Sequence, residues 1–490
     1  MLNKETWEIK EQDVYLGWVP LMTNTASFII NWIERVIVSQ IIRSTGIFFT
    51  SWEDGFSLKV IPAKWSWFEI DIEKIVFGGE SLGYHEGFAV FVPMGVPGDR
   101  VEIEIISLKK SYGRGLITKL IKASSDRIDN HNMISFEDFN GCDFGMLRYN
   151  KQVFYKTEMT KDVLGKIGGL NEYELFDTLG AEHPYNYRNK IIEPFSKVNG
   201  QIITGFFKKK SHEVFEANEN WLQDKEMEEI LKYLKIELNK SNVWTVYDEK
   251  THKGLLRHIM LRKNSVNELM FVLVINGKVN DKLKELVLNI TDQFKNIKSA
   301  YISINNQKTN VALGRENILI FGKKYLKEEL FDIYFNISPT SFFQINKEQT
   351  IKLYAKAMEF FDNIENKTIV DAYSGTGTIA MLLSNKAKKI YGIESVESAT
   401  RDAKKTAKEN KISNIEFING KMEIELEKLI KKGTEIDGII FDPPRKGIDE
   451  KILKEVAKQG IKDIVYVSCN PSTFARDMKI LSGFGYKLIK

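Results

Sequence analysis

At 490 residues, 43% hydrophobic and 28% charged, the chain is too long for one core and too apolar for a disordered polymer; it reads as a soluble globular protein of roughly two to four domains. Its formal charge of +4 is too small to establish a nucleic-acid partner by itself. Only Cys142 and Cys469 occur, which excludes a disulfide framework or a Cys-rich metal site and fits a reducing cytoplasm. Residues 1–10 are polar and lack the apolar core of a secretory signal. The most apolar early stretch, residues 26–49, is broken by Glu34, Arg35 and Arg43, too soon for a membrane span of about 20 apolar residues. The expectation is a cytoplasmic protein without a membrane partner.

Residues 1–67 differ in composition from the rest of the chain. Trp7, Trp18, Trp32, Trp52, Trp65 and Trp67 crowd into them with no period and no motif. The break reads either as a small accessory domain or, the reading favoured here, as upstream sequence translated as protein, for which poor order is expected. From Phe68 the pattern alternates, through Glu69-Ile70-Asp71-Ile72-Glu73-Lys74-Ile75-Val76, then residues 88–93 and 101–106, with turns such as Gly95-Val96-Pro97-Gly98-Asp99 between them. Short alternating strands punctuated by Gly and Pro predict a small antiparallel barrel over residues 68–127. This stretch resembles the TRAM domain, an OB-like RNA-binding module. Lys109, Lys110, Arg114, Lys119, Lys122 and Arg127 cluster on its last strands, as a single-strand-binding groove requires, although a merely solvated face would look the same.

Residues 128–335 mix strand-like and helical segments, the latter including 159–167, 225–234 and 281–294, and read as a substrate-positioning domain. Tyr187-Arg188-Asn189-Lys190 and Leu256-Arg257-His258-Ile259 stand out there. His212 and His258 lack metal-ligand spacing and read as hydrogen-bonded structural histidines.

A doubly wound segment begins near residue 336. The turn Asp371-Ala372-Tyr373-Ser374-Gly375-Thr376-Gly377 joins a strand to a helix, and its glycines let the backbone approach a nucleotide-like ligand. The next strand ends at Glu394, about twenty residues on, where a carboxylate can accept bonds from both ribose hydroxyls. The loop lacks the third glycine expected for a pyrophosphate, so S-adenosylmethionine suits it better than a dinucleotide. Two later apolar runs end in Asp442-Pro443-Pro444-Arg445 and Ser468-Cys469-Asn470-Pro471. Functional side chains of open α/β sheets gather at the carboxyl ends of strands, so Asp442 and Cys469 should face one crevice. A free thiol is largely protonated at neutral pH yet intrinsically nucleophilic, which suggests covalent chemistry on a flat, electron-poor substrate. Taken singly, the Cys would more often be an inert buried residue and the Asp-Pro-Pro a turn.

With Ser341-Phe342-Phe343-Gln344, these motifs resemble those of the RNA uracil-C5 methyltransferases that join a TRAM domain to a Rossmann-like methyltransferase, and the likeness runs over residues 68–490. The resemblance implies that Gln344, Tyr373, Glu394 and Asp442 bind S-adenosylmethionine and that Cys469 is the nucleophile. It also implies a monomeric enzyme acting on an unpaired or flipped uridine in RNA, with 23S ribosomal RNA expected because the TRAM module accompanies that branch. Transfer RNA would share every catalytic motif. Adenine-N6 enzymes also carry a Pro-Pro motif, but normally with an aromatic residue after it, where Arg445 stands here.

Two departures bear on these expectations. Many relatives hold an iron-sulfur cluster on four cysteines; the corresponding positions are Met133, Phe139, Cys142 and Asn220, so no cluster is expected. The family's last segment, whose Glu acts as base, should follow Gly485-Tyr486-Lys487-Leu488-Ile489. A methyltransferase domain over 336–490 with its last strands truncated is therefore expected, and an impaired copy that only binds RNA is the alternative.

Overall fold

A computed structural model describes residues 68–490 apart from 129–134, 137, 140, 210, 217–219 and 362–363, and within residues 1–67 the backbone of four strands. The chain divides into two units, Met1–Trp67 and Phe68–Lys490. In the first, β1 (Ser27–Ile30) pairs antiparallel with β2 (Ile33–Val36), and β3 (Gly46–Trp52) with β4 (Gly55–Ile61). The expected poor order of residues 1–67 otherwise concerns residues outside the described ones.

The second unit opens with a closed barrel, antiparallel as expected except for one parallel pairing, between residues 89–91 and 112–114. Strands β5 (Phe68–Ile75), β6 (Glu80–His85), β7 (Phe88–Pro93), β8 (Arg100–Leu108) and β9 (Tyr112–Lys122) close in the order β5-β6-β7-β9-β8. Alternate residues point inward, so Ile70, Ile72, Val90, Val92, Val101 and Ile103 fill the interior. One member of the basic cluster is not on the surface. The Arg127 side chain is buried; Nη2 donates to Asp99 Oδ2 at 2.6 Å and to the Met94 carbonyl at 2.9 Å. Arg114 is paired with Glu80 at 3.0 Å, while Lys109, Lys110, Lys119 and Lys122 remain exposed.

Helix α1 (Tyr149–Val163) runs into a π-helical turn, Leu164–Gly168, and ties the barrel to the rest: Asp162 accepts from Lys74 of β5 at 2.7 Å. A six-stranded sheet follows in the order β11-β10-β14-β15-β16-β17, made of β10 (Lys190–Val198), β11 (Gln201–Thr204), β14 (Leu256–Lys263), β15 (Leu269–Ile275), β16 (Ile297–Ile304) and β17 (Glu316–Gly322). The pair β12 (Phe206–Phe207) and β13 (Val214–Phe215) sits beside it. Only β15 and β16 are parallel, because α3 (Asp281–Gln293) makes the crossover between them. Every residue of β15 is buried, since the sheet is covered on both faces. Leu269, Phe271, Leu273 and Ile275 meet α3 and α2 (Lys225–Asn239), whereas Met270, Val272 and Val274 meet the C-terminal part of the chain. His258 lies in this sheet, and its buried Nδ1 finds no hydrogen-bond partner; burial lowers its pKa to about 4 and leaves it neutral.

After the hairpin β18 (Leu326–Leu330) and β19 (Ile333–Ile337) comes a five-stranded parallel sheet in the order β22-β21-β20-β23-β24. Its strands are β20 (Thr368–Ala372), β21 (Lys389–Glu394), β22 (Ile415–Asn419), β23 (Gly438–Phe441) and β24 (Asp463–Tyr466). Helices α4 (Lys347–Glu359), α5 (Thr378–Leu383), α6 (Glu397–Glu409), α7 (Met422–Lys431), α8 (Glu450–Lys458) and α9 (Pro471–Ser482) alternate with them. Side-chain alternation divides the core: Ile369 and Ile440 face α5, α6 and the hairpin, and Val370, Ala372, Ile439 and Phe441 face α7, α8 and α9. Among the described residues no helix is long and apolar enough to cross a membrane.

Candidate active site

Strand order places the suspected groups before their side chains are considered. β20 lies between β21 and β23, and β24 flanks β23, so the turns leaving these four strands share one edge of the sheet. That edge carries Glu394 at the end of β21 and Tyr373, Asp442 and Cys469 in the turns after the other three strands. Pairing continues past the assigned ends, with Asp442 N donating to the Ala372 carbonyl at 3.4 Å and Val467 N to the Phe441 carbonyl at 2.8 Å.

The turn after β20 is built around polar atoms turned inward. Asp371 is fully buried; its Oδ2 accepts from Ala380 N at 2.9 Å, while its Oδ1 has no partner. Burial, with Asp442 and Glu394 nearby, pushes its pKa up to about 8. Ser374 Oγ is likewise buried without a partner. Tyr373 takes the left-handed conformation at φ 63°, and its ring packs into the core beneath the turn, where burial raises its hydroxyl pKa. The two glycines have separate reasons. A Cβ on Gly375 would meet open space, whereas one on Gly377 would lie 2.4 Å from the Phe417 ring. Gly375 therefore leaves room above the turn, and Gly377 permits close packing as α5 starts.

Glu394 closes the next strand. Its Oε2 accepts from Gly375 N at 3.0 Å, and its Oε1 from Val396 N at 2.7 Å and Ser395 Oγ at 3.2 Å. Asp442 is partly buried, and desolvation pushes its pKa up to about 6. Gln344 approaches from the segment before α4. Its side chain lies near that of Tyr354, whose buried hydroxyl is pushed up to about 12 by burial, with Asp442 and Asp371 also raising it. The backbone of that segment is held from the six-stranded sheet: Asn189 Nδ2 donates to the Gln344 carbonyl at 3.0 Å, and Arg262 to the Ser338 and Ser341 carbonyls at 3.1 and 2.8 Å. Gln344, Asp442, Asp371 and Glu394 thus form one electrostatic neighbourhood. Cys469 is exposed, so its thiol is open to a substrate.

In the sequence Asp371 and Ser374 stand in a motif without a role of their own, and no motif there singles out Tyr354 or Asp477. Asp477 alone carries a readable signal, an acid on the inward face of a helix beginning just after the Cys motif. The positions that would hold an iron-sulfur cluster are different in kind. Met133 lies outside the described residues. Phe139 is buried hydrocarbon, Asn220 Oδ1 accepts from Leu222 N and Gln223 N, and burial pushes the Cys142 thiol up to about 11. These residues do not fit a cluster that needs four thiolates.

A Rossmann-like sheet with this loop, joined to an OB-like barrel, defines a nucleic-acid-directed methyltransferase class. The family model of tRNA (uracil-5-)-methyltransferases matches residues 149–484 and that of the TRAM domain residues 66–118. An RNA methyltransferase of Fusobacterium nucleatum is 58% identical over 86% of this chain and 91% of its own length; one of Clostridium tetani is 40% identical over 84% and 89%. The crystal structure of Pyrococcus abyssi tRNA (uracil-54, C5)-methyltransferase in complex with S-adenosyl-L-homocysteine superimposes with a TM-score of 0.64 at 27% identity, covering 84% of this chain and 92% of that one. The chain belongs to the tRNA (uracil-5-)-methyltransferase family, enzymes that take their methyl group from S-adenosylmethionine.

The residues present fit that donor. With its ammonium and sulfonium outweighing its one carboxylate, the donor is a net cation, which suits the grouped carboxyls of Asp371, Glu394 and Asp442; Asp371 Oδ1 and Ser374 Oγ are buried without a partner, and Gly375 opens onto free space.

Proposed function

We propose that this chain methylates C5 of a uridine in 23S ribosomal RNA through a covalent bond between Cys469 and uracil C6. The observation that carries the reading is the exposed thiol at the end of a strand adjacent to the one that presents Asp442. Glu394, Asp442 and Gln344 hold S-adenosylmethionine, with Asp371, Ser374 and the backbone of Tyr373 shaping the floor; when bound, this donor supplies an electrophilic methyl group. The Cys469 thiolate adds to C6, and the C5–C6 π electrons move toward C4 and its oxygen as an enolate. C5 then takes the methyl group, whose bond to the donor sulfur breaks. A base removes the proton from C5, the C6–S bond breaks, and the thiolate is restored. The uridine has to leave any stack to reach the cleft.

In this division of labour residues 68–127 grip RNA through Lys109, Lys110, Lys119 and Lys122, residues 128–335 position it, and residues 336–490 carry out the transfer in a monomeric, cytoplasmic protein. A transfer-RNA substrate is the second reading, favoured by likeness to the Pyrococcus enzyme, whose name specifies that substrate. Mapping 5-methyluridine in ribosomal and transfer RNA with and without the gene decides between them. Loss of a ribosomal site supports the first, loss confined to transfer RNA the second, and loss of neither sinks both. Cys469→Ala should lower turnover at least about a thousandfold while keeping the affinity for S-adenosylhomocysteine.

A further inference from the structure

The loops that carry Asp442 and Cys469 leave neighbouring strands, yet strand pairing does not account for how firmly they are held together. The extra tie comes from α9. Asp477 is fully buried, and its Oδ2 accepts from Ile448 N and from the Tyr466 hydroxyl, each at 2.8 Å. Its Oδ1 accepts from Arg476 Nε at 2.8 Å and Nη2 at 2.5 Å. Arg476 Nη2 also donates to the carbonyls of Lys446 at 3.0 Å and Ile448 at 3.3 Å. On the preceding turn Asn470 Nδ2 and Thr473 Oγ1 donate to the Arg445 carbonyl at 3.2 and 3.4 Å. The contact leaves no spare room: at Gly447, φ 78°, a Cβ would lie 2.5 Å from Arg476 Nη2 and 2.7 Å from Asp477 Oδ2.

We propose that Asp477, acting with Arg476, is a positioning residue that fixes the Cys469 loop against the Asp442-Pro443-Pro444-Arg445 loop, so that nucleophile and methyl donor are held in one geometry. The inference rests on the reading of Cys469 as nucleophile. One carboxylate receives donors from the end of β24, from the loop after Arg445 and from α9, the three segments whose relative placement sets where the thiol stands. Charge-assisted bonds in a buried setting are short and strong, and losing one leaves a buried polar group without a partner. None of these bonds is made to the side chain of Asp442, Glu394 or Gln344, and the tie reaches the Asp442 loop only at Arg445, Lys446 and Ile448, beyond the two prolines, so loosening it should disturb the thiol more than the hold on the donor. A misplacement of about 1 Å at a reacting atom can cost about a hundredfold in rate.

Asp477→Asn tests this in the full-length protein, because the amide nitrogen cannot accept where the carboxylate did. Three quantities are measured: kcat, the affinity for S-adenosylhomocysteine, and the rate of covalent adduct formation with an RNA that the parent enzyme methylates, transcribed with 5-fluorouridine. The expected result is a fall of about tenfold to a hundredfold in kcat and adduct rate, with S-adenosylhomocysteine affinity kept within about threefold. An adduct rate within about twofold of the parent, or a loss confined to S-adenosylhomocysteine affinity, overturns the proposal. If Asp477→Asn does not fold, Arg476 variants take its place. Arg476→Lys, which keeps the charge without the fork, should recover part of the adduct rate lost in Arg476→Ala, and equal rates in the two count against the tie. Cys469→Ala separates the two levels: if it still turns over, the nucleophile reading has failed. If it is dead while Asp477→Asn runs at full rate, only the positioning inference has.

Discussion

Two buried aspartates, one in the barrel and one under the methyltransferase turn, show how burial can mean opposite things. Asp99 has every side-chain oxygen engaged: Oδ2 accepts from Val96 N and Arg127, and Oδ1 from Ser124 N. Asp371 is buried as completely but has one backbone donor on one oxygen and none on the other. A satisfied buried acid holds a fold together. An acid left half-satisfied, with other carboxylates around it, is the kind of group that a bound cation would satisfy. By this measure Asp477, whose oxygens are both engaged, falls with Asp99 as a framework residue, although it stands beside the chemistry.

The comparison breaks first at the barrel. Asp99→Ala would take the Asp99 carboxylate away from the buried Arg127 guanidinium, and breaking a buried pair in this way typically costs about 3–5 kcal/mol. Chemical unfolding followed by tryptophan fluorescence should show that loss, together with unchanged affinity for S-adenosylhomocysteine. A drop in that affinity as large as the loss of stability would erase the distinction between the two acids.

Asp371→Asn should do the reverse. Asn can still accept from Ala380 N and carries no charge to desolvate, so the melting temperature of the unliganded protein should hold or rise. S-adenosylmethionine affinity should fall about tenfold to a hundredfold, as expected for a lost hydrogen bond to a charged partner. The same substitution tests the pH dependence. The folded pKa values of about 8 for Asp371 and about 6 for Asp442 lie above the ordinary carboxylate value. Each carboxyl therefore holds a proton in the folded protein that the unfolded chain has released. The stability this confers is complete below the unfolded pKa, near 4, and lost as pH rises through the folded value. Binding a cation favours the charged forms, so S-adenosylmethionine affinity should climb between pH 6 and 8 with release of protons, measurable by calorimetry in buffers of different ionisation enthalpy. Affinity that is flat over this range, or unchanged in its slope by Asp371→Asn, would contradict the assignment.

How much of this is readable from the sequence divides in the same way. The barrel is legible because period-two alternation broken by Gly and Pro survives without knowledge of neighbours, as do the three motifs that close the apolar runs of β20, β23 and β24. Partnership is not legible. Arg127 looks like the other cations of its cluster, and only the closure of the barrel over Asp99 takes it out of the solvent. The run of β15, Leu269 to Ile275, has no alternation because both faces of its sheet are covered, and an unbroken apolar run fits a buried strand or a helix equally. Gly377 reads in sequence as making way for a ligand, whereas Phe417, distant along the chain, is what excludes a side chain there. His258 looks like a histidine with a partner, and its neighbours supply none at Nδ1.

The smallest effect sharpens the contrast with the largest. Lys74 and Asp162 are joined at 2.7 Å, about as close as Asp99 and Arg127, and Lys166 shares the same carboxylate at 2.8 Å. Here, however, Lys74 and Asp162 are 37% and 44% exposed, against 1% and 0% for Arg127 and Asp99. Water screens the attraction, and such a pair contributes about 0.5 kcal/mol or less. The hydrogen bonds from the two lysines lower the pKa of Asp162, so this small contribution is present above the ordinary carboxylate value and fades as pH falls through the lowered one. Lys74→Met should shift the urea midpoint barely, and the difference should vanish in high salt, where the Asp99→Ala defect persists. A Lys74→Met loss approaching that of Asp99→Ala would mean that contact distance, not burial, sets what these ion pairs contribute.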